Sequence, residues 1–141
     1  MIKIEEQVLE EVVCQLKDKN NLRYGCAVVA AFGQNLSESP YNIIPSEFIS
    51  LVENINGIVG DCGVIFGLNC DCGYGFEDVI DVNTKLNRPD RDKVVVLGRN
   101  NFDLLVYNSA NSGYEMRDRS NDCVRHRFVT LVEVLRFMYR V

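Results

Sequence analysis

The chain has 141 residues, of which 47% are hydrophobic and 25% charged, a composition typical of one globular domain. Its net charge of −5 argues against a nucleic-acid binder, because such proteins need a basic surface to displace counterions. No apolar run is long enough to cross a membrane, and the first eleven residues, with four glutamates and one lysine, do not resemble a signal peptide. We therefore expect a single cytoplasmic domain over residues 1–141.

Two helices are predicted in the first part of the chain. Ile4–Lys19 has apolar residues at helical spacing. A second helix begins near Pro45 and ends before Gly57, because proline is favoured in a first turn and glycine just past a last turn. Its apolar residues should form one buried stripe: Phe48, Leu51, Val52 and Ile55. Between the helices, Cys26–Phe32 is compatible with a short strand or a helix, and Gly33–Asn42 predicts a loop.

The middle of the chain alternates short elements with turns. Gly60–Gly63 predicts a turn and Val64–Leu68 a short strand. The glycine-rich stretch Asn69–Gly75 predicts a loop, and Phe76–Leu86 a helix that Pro89 follows. On that helix the apolar side chains share one side: Val79, Val82 and Leu86.

From Lys93 onward the apolar pattern becomes that of strands. The uninterrupted run Val94–Leu97 indicates a central strand covered on both faces. Three further strands are predicted after it, separated by polar turns, which is the pattern of an antiparallel meander. These strands are Phe102–Tyr107, Tyr114–Arg117, in which Tyr114 and Met116 alternate with Glu115 and Arg117, and Cys123–Phe128.

A closing helix follows the strands. Thr130 and Glu133 have the spacing of a capping box, and Val129 is placed to pack on Val134. The predicted buried stripe contains Leu131, Val134, Leu135 and Met138. The complete order predicts an α+β fold, with N-terminal helices and a C-terminal helix packed on an antiparallel sheet of about four to six strands.

The residue types that carry catalysis and metal binding are sparse. His126 is the only histidine, and its alternation with Val124 and Phe128 predicts a half-buried structural position. The pair Cys70 and Cys72 is too close for a usual zinc knuckle, which needs two well-spaced ligand pairs. We therefore expect no catalytic residue, no cofactor and no small-molecule ligand, and a metal site in the Cys70/Cys72 loop is the least favoured alternative.

Three exposed segments are candidates for contacts with a protein partner. They are the glycine-rich loop with Asp71 and Tyr74, the acidic run Glu77, Asp78 and Asp81, and the turn that begins at Arg99. Aromatic and charged side chains on loops are common anchors of protein interfaces.

The order of these elements resembles the SUKH superfamily, which includes fungal cell-wall-synthesis regulators and immunity proteins of bacterial polymorphic toxin systems. The resemblance covers about Ile44 to Met138. It rests on a sequence of short motifs: the proline-started helix from Ile44 to Val52, Asn56-Gly57, the strand Val64–Leu68, the helix from Phe76 to Asn87, the hairpin strands Val94–Gly98 and Asp103–Tyr107, and the segment Phe128–Phe137.

The resemblance implies an immunity protein that binds a cognate toxin domain, of nuclease or deaminase type, and occludes its active site or substrate path. The negative charge of the chain would suit a basic nuclease. The resemblance also leaves open a non-catalytic adaptor within a larger cellular complex.

Overall fold

Residues 4–25, 41–68 and 75–141 are described by a computed structural model of the chain, and they form four α-helices and seven strands. The helices are α1 (Ile4–Lys17), α2 (Ser46–Asn54), α3 (Val79–Leu86) and α4 (Leu131–Tyr139), with a 3-10 turn at Tyr41–Ile43. The strands are β1 (Arg23–Tyr24), β2 (Ile58–Gly60), β3 (Gly63–Ile65), β4 (Val94–Arg99), β5 (Asp103–Asn108), β6 (Gly113–Asp118) and β7 (Val124–Phe128).

The strands form one sheet whose spatial order follows the chain from β1 to β7, and every neighbouring pair is antiparallel. The predicted α+β meander with helices against it is therefore confirmed. The sheet has more strands than expected because β1 and β2, with two and three residues, are too short to leave an alternating pattern. The predicted segment Cys26–Phe32 and most of the Gly33–Asn42 and Asn69–Gly75 loops lie outside the described residues.

The core includes β4, which the sequence predicted to be a central strand covered on both faces. Every residue of Val94–Gly98 is buried, as are Leu105 and Val106 on β5. Tyr114 and Met116 point to the face covered by α2 and α4, and the Tyr114 hydroxyl donates to Glu47 of α2 at 3.3 Å. The predicted stripes of α2 and α4 are both buried. No helix in the described part of the chain is long and apolar enough to span a membrane.

Helix boundaries depart from the sequence prediction where polar side chains bind the backbone. Helix α3 begins at Val79 and not at Phe76, because the Asp78 carboxylate accepts from the N–H groups of Ile80 and Asp81 at 3.0 and 3.2 Å. Leu86, expected on the same side as Val79, is 45% exposed because it lies in the last turn.

Helix α4 begins with the predicted capping box. The Thr130 hydroxyl accepts from Glu133 N–H at 3.3 Å, and the Glu133 carboxylate accepts from Val129 N–H at 2.9 Å. The expected packing of Val129 on Val134 is wrong: Val129 is 75% exposed. The carboxylate of Glu47 also binds the start of α4, accepting a hydrogen bond from Leu131 N–H at 3.2 Å.

Two buried asparagines replace missing strand partners. Asn83 of α3 accepts from Val96 N–H at 2.9 Å and donates to Val96 C=O at 2.8 Å, where β3 has ended beside β4. Asn56 makes the same two-way pairing with Leu68, at 2.7 and 2.9 Å. Each amide satisfies a backbone donor and acceptor that would otherwise be buried without partners.

Candidate protein-binding surfaces

The structure joins two of the surfaces that the sequence predicted separately. Arg99, at the end of β4, forms a 2.8 Å ion pair with Glu77, which precedes α3, and each side chain is 35% exposed. The parallel bridge between Gly67 and Asp78 fixes this segment against the end of β3. Glu77 and Arg99 therefore present one partly exposed, charge-balanced site.

The rest of the acidic run is engaged within the chain. Asp78 is buried as the cap of α3. Asp81 forms an exposed pair with Lys85 one turn later, at 3.0 Å. The run thus offers less uncompensated negative charge than its sequence indicates. The other predicted contact residues, Asp71 and Tyr74, lie outside the described residues.

Strand β7 carries an exposed aromatic patch that the sequence prediction did not find. His126, expected to be half-buried, is exposed because β7 is the last strand of the sheet and α4 covers it only in part. Its ring lies 4.7 Å from that of Phe137 on α4, and the Phe128 ring lies 5.2 Å from the same side chain. Phe137 is 45% exposed. We call His126, Phe128 and Phe137 the β7 aromatic patch.

One side of the β7 backbone pairs with no strand that the structure describes. In the described part of the chain, β7 pairs with β6 alone. Asp118 N–H donates to Cys123 C=O, which shows that alternate β6 residues direct their main-chain groups toward β7. By that alternation the main-chain N–H and C=O groups of His126 and Phe128 point toward β6, whereas those of Arg127 point outward.

A small pocket lies at the end of β7, next to the aromatic patch. Its volume is about 190 Å³, and residues 111–115 and 127–129 line it. The lining combines apolar surface from Tyr114, Phe128 and Val129 with the charged residues Glu115 and Arg127. It has the size for one side chain of a partner.

An ion cluster covers the face of β6 opposite the one that carries Tyr114 and Met116. We call it the β6 ion cluster: Arg88, Asp90, Glu115, Arg117 and Asp122. Its centre is a 2.7 Å pair between Arg117 and Glu115, whose side chains are only 11% and 4% exposed. The alternation on β6 thus has two buried faces, because the segment after α3 covers the polar one.

The electrostatics of this cluster favour its charged form. Burial alone would raise the pKa of Asp90, but hydrogen bonds and charges from Arg88 and Arg117 offset it, so the pKa lies below the ordinary value. Burial likewise disfavours the charged Arg117, and the hydrogen bond and charge of Glu115 outweigh it and raise the Arg117 pKa.

Arg125 of β7 forms ion pairs that join this strand to β5 and β6. Asp103 and Asp118 stand directly opposite each other on β5 and β6, a repulsive arrangement by themselves. The Arg125 guanidinium pairs with both, lying 3.1 Å from Asp103. The hydrogen bond from Arg125 lowers the pKa of Asp118 well below its usual range.

Basic residues are concentrated in the last part of the chain. Residues 119–141 contain five arginines and two carboxylates, whereas residues 1–118 contain ten basic and eighteen acidic side chains. The net charge of −5 therefore hides a positive segment that includes β7. This uneven distribution is the sequence signal that could have directed attention to β7.

Metal ligands do not cluster within the ranges that the structure describes, where no group of three or more candidate side chains meets. Cys14, Cys62 and Cys123 are exposed free thiols. Cys70 and Cys72 lie outside those ranges.

Comparison with known proteins assigns no family to the chain. No protein-family model matches it, and no solved structure matches it. A stretch of 78 residues, 54% of the chain, is 35% identical to the mitochondrial arginine-specific large chain of carbamoyl phosphate synthase from Neurospora crassa. The match spans only about 6% of the length of that curated relative.

Proposed function

We propose that this chain is a cytoplasmic, non-catalytic immunity protein that binds a cognate polymorphic-toxin domain of nuclease or deaminase type and occludes it. The SUKH resemblance supplies this function. The observation that carries it toward protein binding is the β7 aromatic patch, which leaves aromatic side chains in solvent beside a strand edge that no described strand pairs with. Exposed apolar side chains gathered at one place are a common mark of protein interaction sites.

The fold suits inhibition by occlusion. A seven-stranded sheet, with Asn56 and Asn83 completing hydrogen bonds to buried backbone, offers a preformed binding surface, and a preformed surface loses less conformational freedom on binding. Neutralisation then requires no reaction: the bound protein needs only to block the active site or the substrate path of the toxin.

The Glu77 and Arg99 site is a second proposed contact region, together with Asp71, Tyr74, Asp78 and Asp81. Glu77 and Arg99 are each partly exposed and can exchange part of their mutual pairing for charged groups of a partner. Asp78 would contribute by holding the start of α3, since its carboxylate binds the helix N–H groups.

The test is co-expression with the product of the gene immediately upstream. We expect a stable complex and restored growth of cells that express that neighbour. A complex without rescue would support a non-catalytic adaptor, whereas neither complex nor rescue would contradict the immunity function.

A charge exchange sharpens this test at the Glu77 and Arg99 site. The double variant E77R/R99E keeps the internal ion pair but reverses the charges shown to a partner. We expect weaker rescue at unchanged thermal stability. The matched control is E11K/K17E, which exchanges two exposed opposite charges on α1, outside the proposed contact region; rescue equal in both double variants would exclude a specific contact at Glu77 and Arg99.

A further inference from the structure

We infer that β7 accepts an extended acidic segment of a protein partner as an additional strand of the sheet. The inference rests on the proposed function only in requiring a protein partner. It assigns the contact to a surface that neither the sequence motifs nor the resemblance indicated.

The first support is the free main chain. Arg127 directs its N–H and C=O away from β6, and the described residues place no strand on that side. Unpaired strand edges are templates for strand addition, in which main-chain hydrogen bonds provide affinity and alternate side chains provide specificity.

The second support is the arrangement of side chains on the two faces of β7. His126 and Phe128 lie on the same face as Met116 and Tyr114, their cross-strand partners, and Arg127 lies on the other face with Glu115. An added strand would place every second side chain beside the aromatic patch and the intervening ones beside Arg127. The segment that fits therefore alternates apolar and acidic residues.

The positive charge of β7 indicates that the intervening residues of the added strand are acidic. Arg127 is exposed and makes no ion pair among the described residues, although Glu115 stands opposite it. The neighbouring Arg125 is 48% exposed even while paired with Asp103 and Asp118. A carboxylate beside Arg127 would gain a partner without breaking an existing pair.

Charge also argues against a second copy of this chain as the occupant. Two β7 strands paired antiparallel about Arg127, whose main-chain groups point outward, would set the two Arg127 side chains directly opposite each other. Like charges directly opposite destabilise a strand pair. The arginines thus disfavour self-association through β7 and favour an acidic segment of a partner at this strand.

The pocket beside β7 gives the segment an end point. It opens among residues 111–115 and 127–129, with Phe128 and Val129 supplying apolar surface. One apolar side chain of the added strand can occupy it, which would fix the register of pairing.

The experiment is a selection of random peptides displayed on phage against wild-type protein and against R127E. We expect peptides that alternate acidic and apolar residues to be retained at least about tenfold better on wild type, a difference of about 1.4 kcal/mol. The control K17E carries the same charge change at an exposed position on α1 and should retain the same peptides as wild type. Thermal melting of all three proteins tests that they are folded.

Amide hydrogen exchange of the wild type with an enriched peptide then locates the binding mode. The Arg127 amide should become protected on binding, and R127P, which removes both the guanidinium and the outward N–H, should retain less peptide than R127A, which removes the guanidinium alone. Enriched peptides without acidic residues, equal loss in K17E, or protection confined to other elements would each overturn the inference. Binding of a labelled single-stranded oligonucleotide that displaces the peptide would overturn a protein occupant.

This result is separable from that of co-expression. Selection of acidic peptides with no rescue leaves the β7 site standing and removes the immunity function. Rescue that R127E leaves intact removes the β7 site and leaves the function.

Discussion

Strands β4 and β7 belong to one sheet, yet their environments are opposite. All of Val94–Gly98 is buried, whereas Val124–Arg127 are exposed and Phe128 is only partly covered. The sequence of β4 is a continuous apolar run, and that of β7 alternates basic residues with apolar and aromatic ones. This contrast predicts that the middle of the sheet contributes most of the stability and that its last strand contributes partner contacts. Substitutions can test this division.

The largest effect is expected at the β6 ion cluster, on the buried side of the division. R117M should lower the free energy of unfolding by about 3 kcal/mol, because Glu115 would remain buried without its main cation. Urea unfolding measures the loss, and the double variant E115L/R117M should recover most of it. The exposed pair provides a control: K85A should cost no more than about 0.5 kcal/mol. Equal losses in R117M and K85A would contradict a buried, structural cluster.

The next effect concerns the asparagine that stands in for a strand. N83A should leave the N–H and C=O of Val96, on β4, without hydrogen-bond partners, and each unsatisfied group costs about 1–3 kcal/mol. Faster hydrogen exchange at the Val96 amide should accompany the loss. Asn54, whose amide bonds Ser50 C=O at an exposed position, is the control, and N54A should be nearly neutral.

A matched pair of valines compares the two strands directly. V106A, on β5 beside β4, should cost about 2 kcal/mol through lost burial and a cavity. V124A on β7, where the side chain is 36% exposed, should cost clearly less. Thermal and urea unfolding of both variants would measure the difference, and similar losses would place β7 within the cooperative core.

The smallest effect is a dependence on pH. The pKa of Asp90 is lower in the folded than in the unfolded protein, so its stabilising contribution is present above about pH 4 and is lost as the pH falls through the folded pKa. D90N should therefore reduce stability at neutral pH and flatten the decline in stability below pH 4. Urea unfolding at several pH values measures the slope; an unchanged slope would remove Asp90 as a contributor.

The parts of the fold that the sequence predicted are those in which one local pattern decides the outcome. The run Val94–Leu97 is short, apolar at every position and rich in valine, as in a strand covered on both faces. Thr130 and Glu133 mark the start of α4 because capping acts within one turn. The start of α3 could have been placed at Asp78 by the same reasoning, since aspartate is a favoured cap.

The remaining features depend on contacts between distant residues. Alternation on β6 and β7 is similar in sequence, but Arg117 is buried by the segment containing Asp90, whereas His126 is left uncovered because no described strand follows β7. The pairing of Glu77 with Arg99 joins residues that are 22 positions apart. Neither spacing nor composition records which segment covers a strand.

The chain order of the sheet has a consequence for biosynthesis. Each strand pairs with the next, so every described pairing can form by the time Phe128 has left the ribosome. Helix α1, however, packs against α4, which is complete only at Tyr139. Helix α1 therefore keeps part of its apolar face uncovered until α4 has been made. During that interval the uncovered apolar side chains of α1 are open to aggregation and to capture by chaperones.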